Sequence, residues 1–274
     1  MGELLALASA LCFGVTHFVN GLVARRAPGL TVSLYAQLGG TFATTVVAFG
    51  WSHGTPGPAA LGWGAVSGVG TGIGVGFLYR AMSAGALSVI VPVSDVGAVA
   101  IPVLVGLGFL GERPSLTGVA GILVALPALW LASGGSAGSS AGVRDALVAG
   151  VGFAVQFLAM APVPVDSGLW PIVVSRAASV AVILPLVRAK GAPLRLRPSL
   201  ALPAALAGAL GSVAIVLYWL ATHRQLVAVA TVLAALYPAI PVLLALLLLR
   251  ERLTARQAVG VCAVGVAIAL LALP

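Results

Sequence analysis

The sequence predicts an all-α polytopic membrane protein, with ten transmembrane helices arranged as two inverted five-helix repeats. Composition is the first reason. Of the 274 residues 61% are hydrophobic and 7% charged, with a mean hydropathy of +1.16, which leaves too little charge to cover a water-facing surface. Run length is the second: the apolar stretches reach or approach the about 20 residues a helical span needs, and they lack the alternation of a β-barrel strand. Internal repetition is the third. At an offset of 139 residues Tyr79 falls on Tyr218, Pro102 on Pro241 and Glu112-Arg113 on Glu251-Arg252, without a gap. Each copy holds five spans, and an odd number of crossings sends the second copy into the bilayer opposite to the first.

The spans of the first copy are expected at 4–24, 31–49, 61–81, 87–110 and 115–131, and those of the second at 146–161, 169–187, 200–221, 226–249 and 254–272. No basic segment precedes the first span, and Leu11 ahead of Cys12 spoils a lipoprotein cleavage site, so this span reads as a retained helix. Cys12 and Cys262 both fall inside spans, as small apolar filler rather than a disulfide, and define no redox compartment. In the third span Gly64, Gly68, Gly72 and Gly76 recur every four residues, with Gly70 and Gly74 beside them. Such a stripe admits a second backbone, either as close packing or as a sliding surface. Spans four and nine carry Pro92 and Pro102, and Pro238 and Pro241, which free backbone carbonyls and offer places to bend. Glu112-Arg113 and Glu251-Arg252 occupy the tight turns that follow these spans, where the carboxylate is expected to accept from the first N–H groups of the next helix. Tyr79, Tyr218 and Trp219 lie near span ends and read as interfacial anchors.

Two breaks organise the chain. Ser133–Gly142 (SGGSAGSSAG) is a flexible polar linker that separates a first repeat, 1–132, from a second, 143–274. Arg188–Pro198 (RAKGAPLRLRP) is a short basic loop suited to a lipid headgroup surface. The formal charge of +8 would point to nucleic acid in a soluble protein, but here the basic residues flank spans and face membrane lipid, so no nucleic-acid partner is expected. Counted by alternate loops, 11 Lys and Arg lie on the side reached after the first span and 2, Arg113 and Arg224, on the other. The positive-inside rule then places both termini outside the cytoplasm.

Polar side chains deep in a span are costly and mark functional candidates. Counted at about 1.5 Å per residue from the basic side, His17 lies roughly 10 Å deep, Gln37 roughly 9 Å and Asp95 roughly 12 Å, while Gln156 and Tyr237 fall near the midplane and Arg176 about a turn beyond Asp95. The repeat offset sets His17 on Gln156 and Gln37 on Arg176, whereas Asp95 meets Ala234. These six residues are the candidate substrate-binding set. Asp95 and His17 are the proton-coupling candidates, because a lone buried carboxylate either takes a proton or finds a cation, and an imidazole titrates near neutrality. Asp95 has a purely structural alternative, a permanent ion pair with Arg176. No hydrolase triad, metal-ligand cluster or P-loop is present, and the GVGTGIGVG ladder lies inside a span with no strand before it. Catalytic residues, metals and cofactors are therefore not expected.

Two segments, 76–133 and 215–272, share one pattern: an aromatic at a span end, a small-residue turn, a Pro-containing span, then GERPS or RERLT, then a Gly-containing last span. This pattern resembles EamA-type members of the drug/metabolite transporter superfamily, over essentially the whole chain. The resemblance implies a multi-pass plasma-membrane exporter or exchanger of small metabolites, with a central cavity between the halves and no enzymatic activity. It names no substrate, and either a monomer or a homodimer fits it. Members of the family usually have both termini in the cytoplasm, which the charge count reverses here. An uncoupled facilitator and a non-transporting membrane scaffold are the alternatives, the latter weakened by the lack of an extramembrane domain.

Overall fold

A computed structural model describes residues 1–50, 55–84, 87–132, 142–237, 239–248 and 254–273. The linker 133–141, Pro238, Arg250 and the Glu251-Arg252 pair lie outside the described residues. The helices are α1 (Gly2–Ala24), α2 (Gly29–Gly50), α3 (Pro58–Ala84), α4 (Leu87–Gly108), α5 (Leu116–Ala132), α6 (Val143–Met160), α7 (Trp170–Ala189), α8 (Pro198–Thr222), α9 (Val227–Ala234), α10 (Ala239–Leu248) and α11 (Ala255–Ala272), and no strand occurs among the described residues. Within that described part, six helices (α1, α2, α3, α6, α7 and α8) are long and apolar enough to cross a membrane, and shorter apolar helices accompany them.

Every expected span meets a helix, but the ninth is divided into α9 and α10. The cause is proline chemistry. Pro241 has no N–H for the Tyr237 carbonyl and Pro238 has none for that of Ala234, so two ladder bonds are missing three residues apart. Tighter bonds fill the gap: Ala239 N–H donates to the Leu236 carbonyl at 3.2 Å and Ile240 N–H to that of Tyr237 at 3.0 Å. The first copy has Pro102 but Val99 where Pro238 would fall, and α4 runs unbroken.

The two halves interdigitate rather than pack as separate bundles. α3 lies on α6 and α7, α8 on α1 and α2, α4 on α6, and α9 on α1. Exchanging the halves turns the pair α3·α6 into α8·α1, α3·α7 into α8·α2 and α4·α6 into α9·α1, while α2·α7, α4·α9 and α5·α11 map onto themselves. That is the contact pattern of a two-fold relation between repeats, with α2·α7 and α4·α9 on its axis.

The glycine stripe of α3 is used for close packing. A Cβ at Gly64 would run into the Pro171 carbonyl and one at Gly68 into the Ser175 carbonyl, both on α7, while Gly70 and Gly74 face Gly152 and Phe153 of α6. The equivalent interface repeats this, since Gly39 and Gly208 bring α2 and α8 backbone to backbone. The main core gathers around α9, whose residues Ala228–Ala234 are all buried, so this short apolar helix sits inside protein rather than against lipid.

Three expectations change. Tyr218 and Trp219 are not interfacial anchors: both are buried, the Tyr218 hydroxyl 3.1 Å from the Phe157 carbonyl and 3.0 Å from Thr231 Oγ1, and the Trp219 indole N–H donating to the Val163 carbonyl at 2.7 Å. A polar tip that finds an interior partner has no need of the headgroups. Tyr79 packs over Gly29, whose missing side chain leaves room for the ring. Glu112 does not cap the next helix, α5, where the Gly118 N–H is taken by Ser115 Oγ at 3.1 Å. Its two carboxylate oxygens instead accept from the Val227 and Ala228 N–H groups, so a turn of the first half caps α9 of the second.

Candidate functional site

The site begins on the inward stripe of α1. Ala6, Ala10 and Phe13 follow one another at helical spacing and are buried, and His17 continues the same stripe yet is exposed. Accessible surface on an otherwise core-facing stripe marks an opening between helices at His17. His17 Nδ1 lies 2.7 Å from the Phe13 carbonyl, which can only accept. The proton of the neutral ring therefore sits on Nδ1, and Nε2 is left to accept from whatever enters.

The His17 ring stacks on Tyr237, with centroids 4.5 Å apart and planes at 24°. Tyr237 occupies the break between α9 and α10, which turns it out of the helical register toward α4. Its hydroxyl donates to Asp95 Oδ1 at 2.7 Å. Asp95 is 4% exposed, and its second oxygen, Oδ2, is buried with no hydrogen-bond partner. Phe13 lies 6.1 Å from Tyr237 and 6.1 Å from Phe157, extending the aromatic wall from α1 to α6.

A second polar group lies between α2 and α7. Arg176 donates from Nη1 to Gln37 Oε1 at 3.1 Å and from Nη2 to the Gly211 carbonyl at 3.0 Å, and Ser179 Oγ reaches the same Gln37 oxygen at 2.9 Å. Gln37 and Arg176 are equivalent positions of the two repeats, so their contact marks the two-fold axis. The Nε of Arg176 has no partner.

His17, Asp95 and Tyr237 thus come together, as do Gln37 and Arg176. Gln156 joins neither group. It is buried at the α3·α6 interface, where Oε1 accepts from Thr71 Oγ1 at 2.6 Å and its main-chain carbonyl from Ser67 Oγ at 3.0 Å. The equivalent positions 17 and 156 therefore do different work, one exposed at an opening on the α1 stripe and the other sealing a helix contact. Asp95 and Arg176 form no ion pair: the carboxylate is held by a phenol and the guanidinium by oxygens of α2 and α8. Their helices explain this, since α4 packs on α6 and α9 while α7 packs on α2 and α3. Sequence reasoning missed Phe13, Thr71, Ser67 and Ser179. Phe13 was findable, since it lies four residues before His17 on the same stripe.

This architecture, a polytopic helical protein of two interdigitated repeats with polar groups buried on their common axis, is a layout that many secondary transporters share. Residues 141–273, the second repeat, match the model of the EamA-like transporter family, a match that supports membership of the drug/metabolite transporter superfamily. A solved crystal structure is similar over 99% of this chain and 98% of its own, with a TM-score of 0.79 at 18% identity, a likeness of fold. No curated protein matches the chain.

Proposed function

We propose that the chain is a secondary transporter of small organic metabolites or drugs in the plasma membrane, working as an exporter by alternating access of its two halves. Asp95 is the group that carries the coupling proton, with His17 as the second candidate. His17, Tyr237, Gln37 and Arg176 line or frame the substrate path, and Gln156 supports its wall. One observation carries this reading: the Tyr237–Asp95 contact joins α4 to the α9–α10 break across the axis, beside the exposed imidazole of His17, with one carboxylate oxygen unpartnered. A carboxylate so placed has to accept a proton or a cation, which gives a gradient something to act on. No nucleotide-binding motif offers another energy source.

The uncoupled-facilitator alternative relied on a permanent Asp95–Arg176 pair, and loses that support because Tyr237 holds Asp95. The test is counterflow in proteoliposomes, using ligands found by thermal shift of the purified protein. Labelled ligand should accumulate transiently against an excess of unlabelled ligand inside, and an imposed pH gradient should drive net movement. Well-folded protein that exchanges none of the ligands stabilising it would overturn the reading.

A further inference from the structure

We infer that the opening at His17 leads to a substrate cavity whose occupant is an organic monocation with a flat apolar body, its charged end on Asp95 and its body on the aromatic wall. This deepens the transporter reading and rests on it for the location of the site. Three observations point to the charge class. Asp95 Oδ2 is a buried oxygen without a donor, and Tyr237 satisfies only Oδ1, so the carboxylate has room for one more N–H or an ammonium charge. No cationic side chain is hydrogen-bonded to it among the described residues. Arg176, the buried cation that would serve a carboxylate-bearing substrate, has Nη1 and Nη2 engaged by Gln37 and the Gly211 carbonyl, and although its Nε is unpartnered it belongs to the α2·α7 group rather than to the ring wall.

The rings supply the body contact. His17 and Tyr237 form one continuous plane pair at 4.5 Å, with Phe13 tilted beside Tyr237 at 54°. Tyrosine and phenylalanine faces attract a cation as well as an apolar ring, and more so once water is excluded. His17 Nε2, left as an acceptor by the Nδ1 bond to Phe13, accepts a hydrogen bond from an ammonium N–H and has no proton to donate to an anion while neutral. Tyr237 lies between the cavity and Asp95, so the cation reaches the carboxylate as the Tyr237 ring gives way.

The test is calorimetric titration of the wild-type protein in nanodiscs with phenethylammonium, against the isosteric neutral phenethyl alcohol and the anionic phenylacetate. A charge-assisted hydrogen bond is worth a factor of about ten to a hundred, so the cation is expected to bind more tightly than the alcohol by about that much. Phenylacetate should not bind. Asp95→Asn should bring the cation down to the affinity of the alcohol, with folding checked by a monodisperse elution profile, and Tyr237→Phe should retain cation binding. If Asp95→Asn fails to fold, the wild-type comparison of cation with alcohol still decides. Equal affinities for cation and alcohol, preference for phenylacetate, or no cation binding would each overturn the assignment. Counterflow of some other ligand alongside no cation binding defeats the substrate class alone, whereas cation binding with no counterflow of any ligand defeats the transport reading alone.

Discussion

The Glu112 cap on α9 crosses from one half to the other, and its worth can be isolated. Val227 is the first residue of α9 and follows Leu226 in an extended conformation at φ −56 and ψ 138, which suits a residue before proline. Proline is well tolerated at this first helical position, where it removes one N–H and leaves the helix intact. Here that N–H is the donor to Glu112. Removing the carboxylate with Glu112→Ala should cost about 1–3 kcal/mol, the sum of a lost N-cap and its attraction to the helix N-terminus. Val227→Pro alone should cost about 1.5–2 kcal/mol, the lower end of a hydrogen bond to a charged group. In the Glu112→Ala background the same proline has no bond left to break and should be neutral, so the coupling in a double-mutant cycle equals the whole proline penalty, about 1.5–2 kcal/mol. Reversible unfolding of the four proteins in mixed micelles supplies the free energies. A proline penalty that is the same with and without Glu112 would refute the cross-half cap.

Other outcomes follow from the same contacts. Gly68→Val should lower the unfolding midpoint markedly, since overpacking costs about 1–3 kcal/mol and the Cβ meets the immovable Ser175 carbonyl, whereas Gly21→Ala, with open space around it, should be silent in the same assay. Because Tyr237 rather than Arg176 holds Asp95, Arg176→Gln should not restore whatever stability Asp95→Asn loses; recovery in the double variant would mean a hidden ion pair. A reporter active only outside the cytoplasm should work at the carboxyl terminus, given 11 basic residues on one side against 2 on the other, and activity of a cytoplasmic reporter there would restore the usual family orientation.

Much of this architecture is legible in the residues. Long apolar runs locate the helices to within a few positions because a span must satisfy its backbone internally, and the 139-residue offset announces the two-fold relation that the helix contacts display. What the runs do not carry is which half a side chain meets. Glu112 reads as a local cap because its turn leads into α5, yet the interdigitated halves bring a different helix start closer. Tyr218 and Trp219 read as anchors because they stand at a span end, and only tertiary packing places the Phe157 and Val163 carbonyls before them. Polarity in apolar surroundings singles out the six candidates but not that Gln156 falls in the α3·α6 contact, and the grouping of the other five depends on contacts between residues 95 and 237, and 37 and 176. Such contacts become foreseeable only once the axis is known to pass through α4·α9 and α2·α7.

The most direct test of the central claim compares two modes of transport in the same proteoliposomes, for wild-type protein and for Asp95→Asn. Wild-type protein should show both pH-gradient-driven movement and equilibrium exchange of its ligand. If Asp95 carries the coupling proton, Asp95→Asn should lose the driven mode and retain part of the exchange, because exchange needs the cavity and no net proton movement. Normal gradient-driven transport by Asp95→Asn would contradict the account outright.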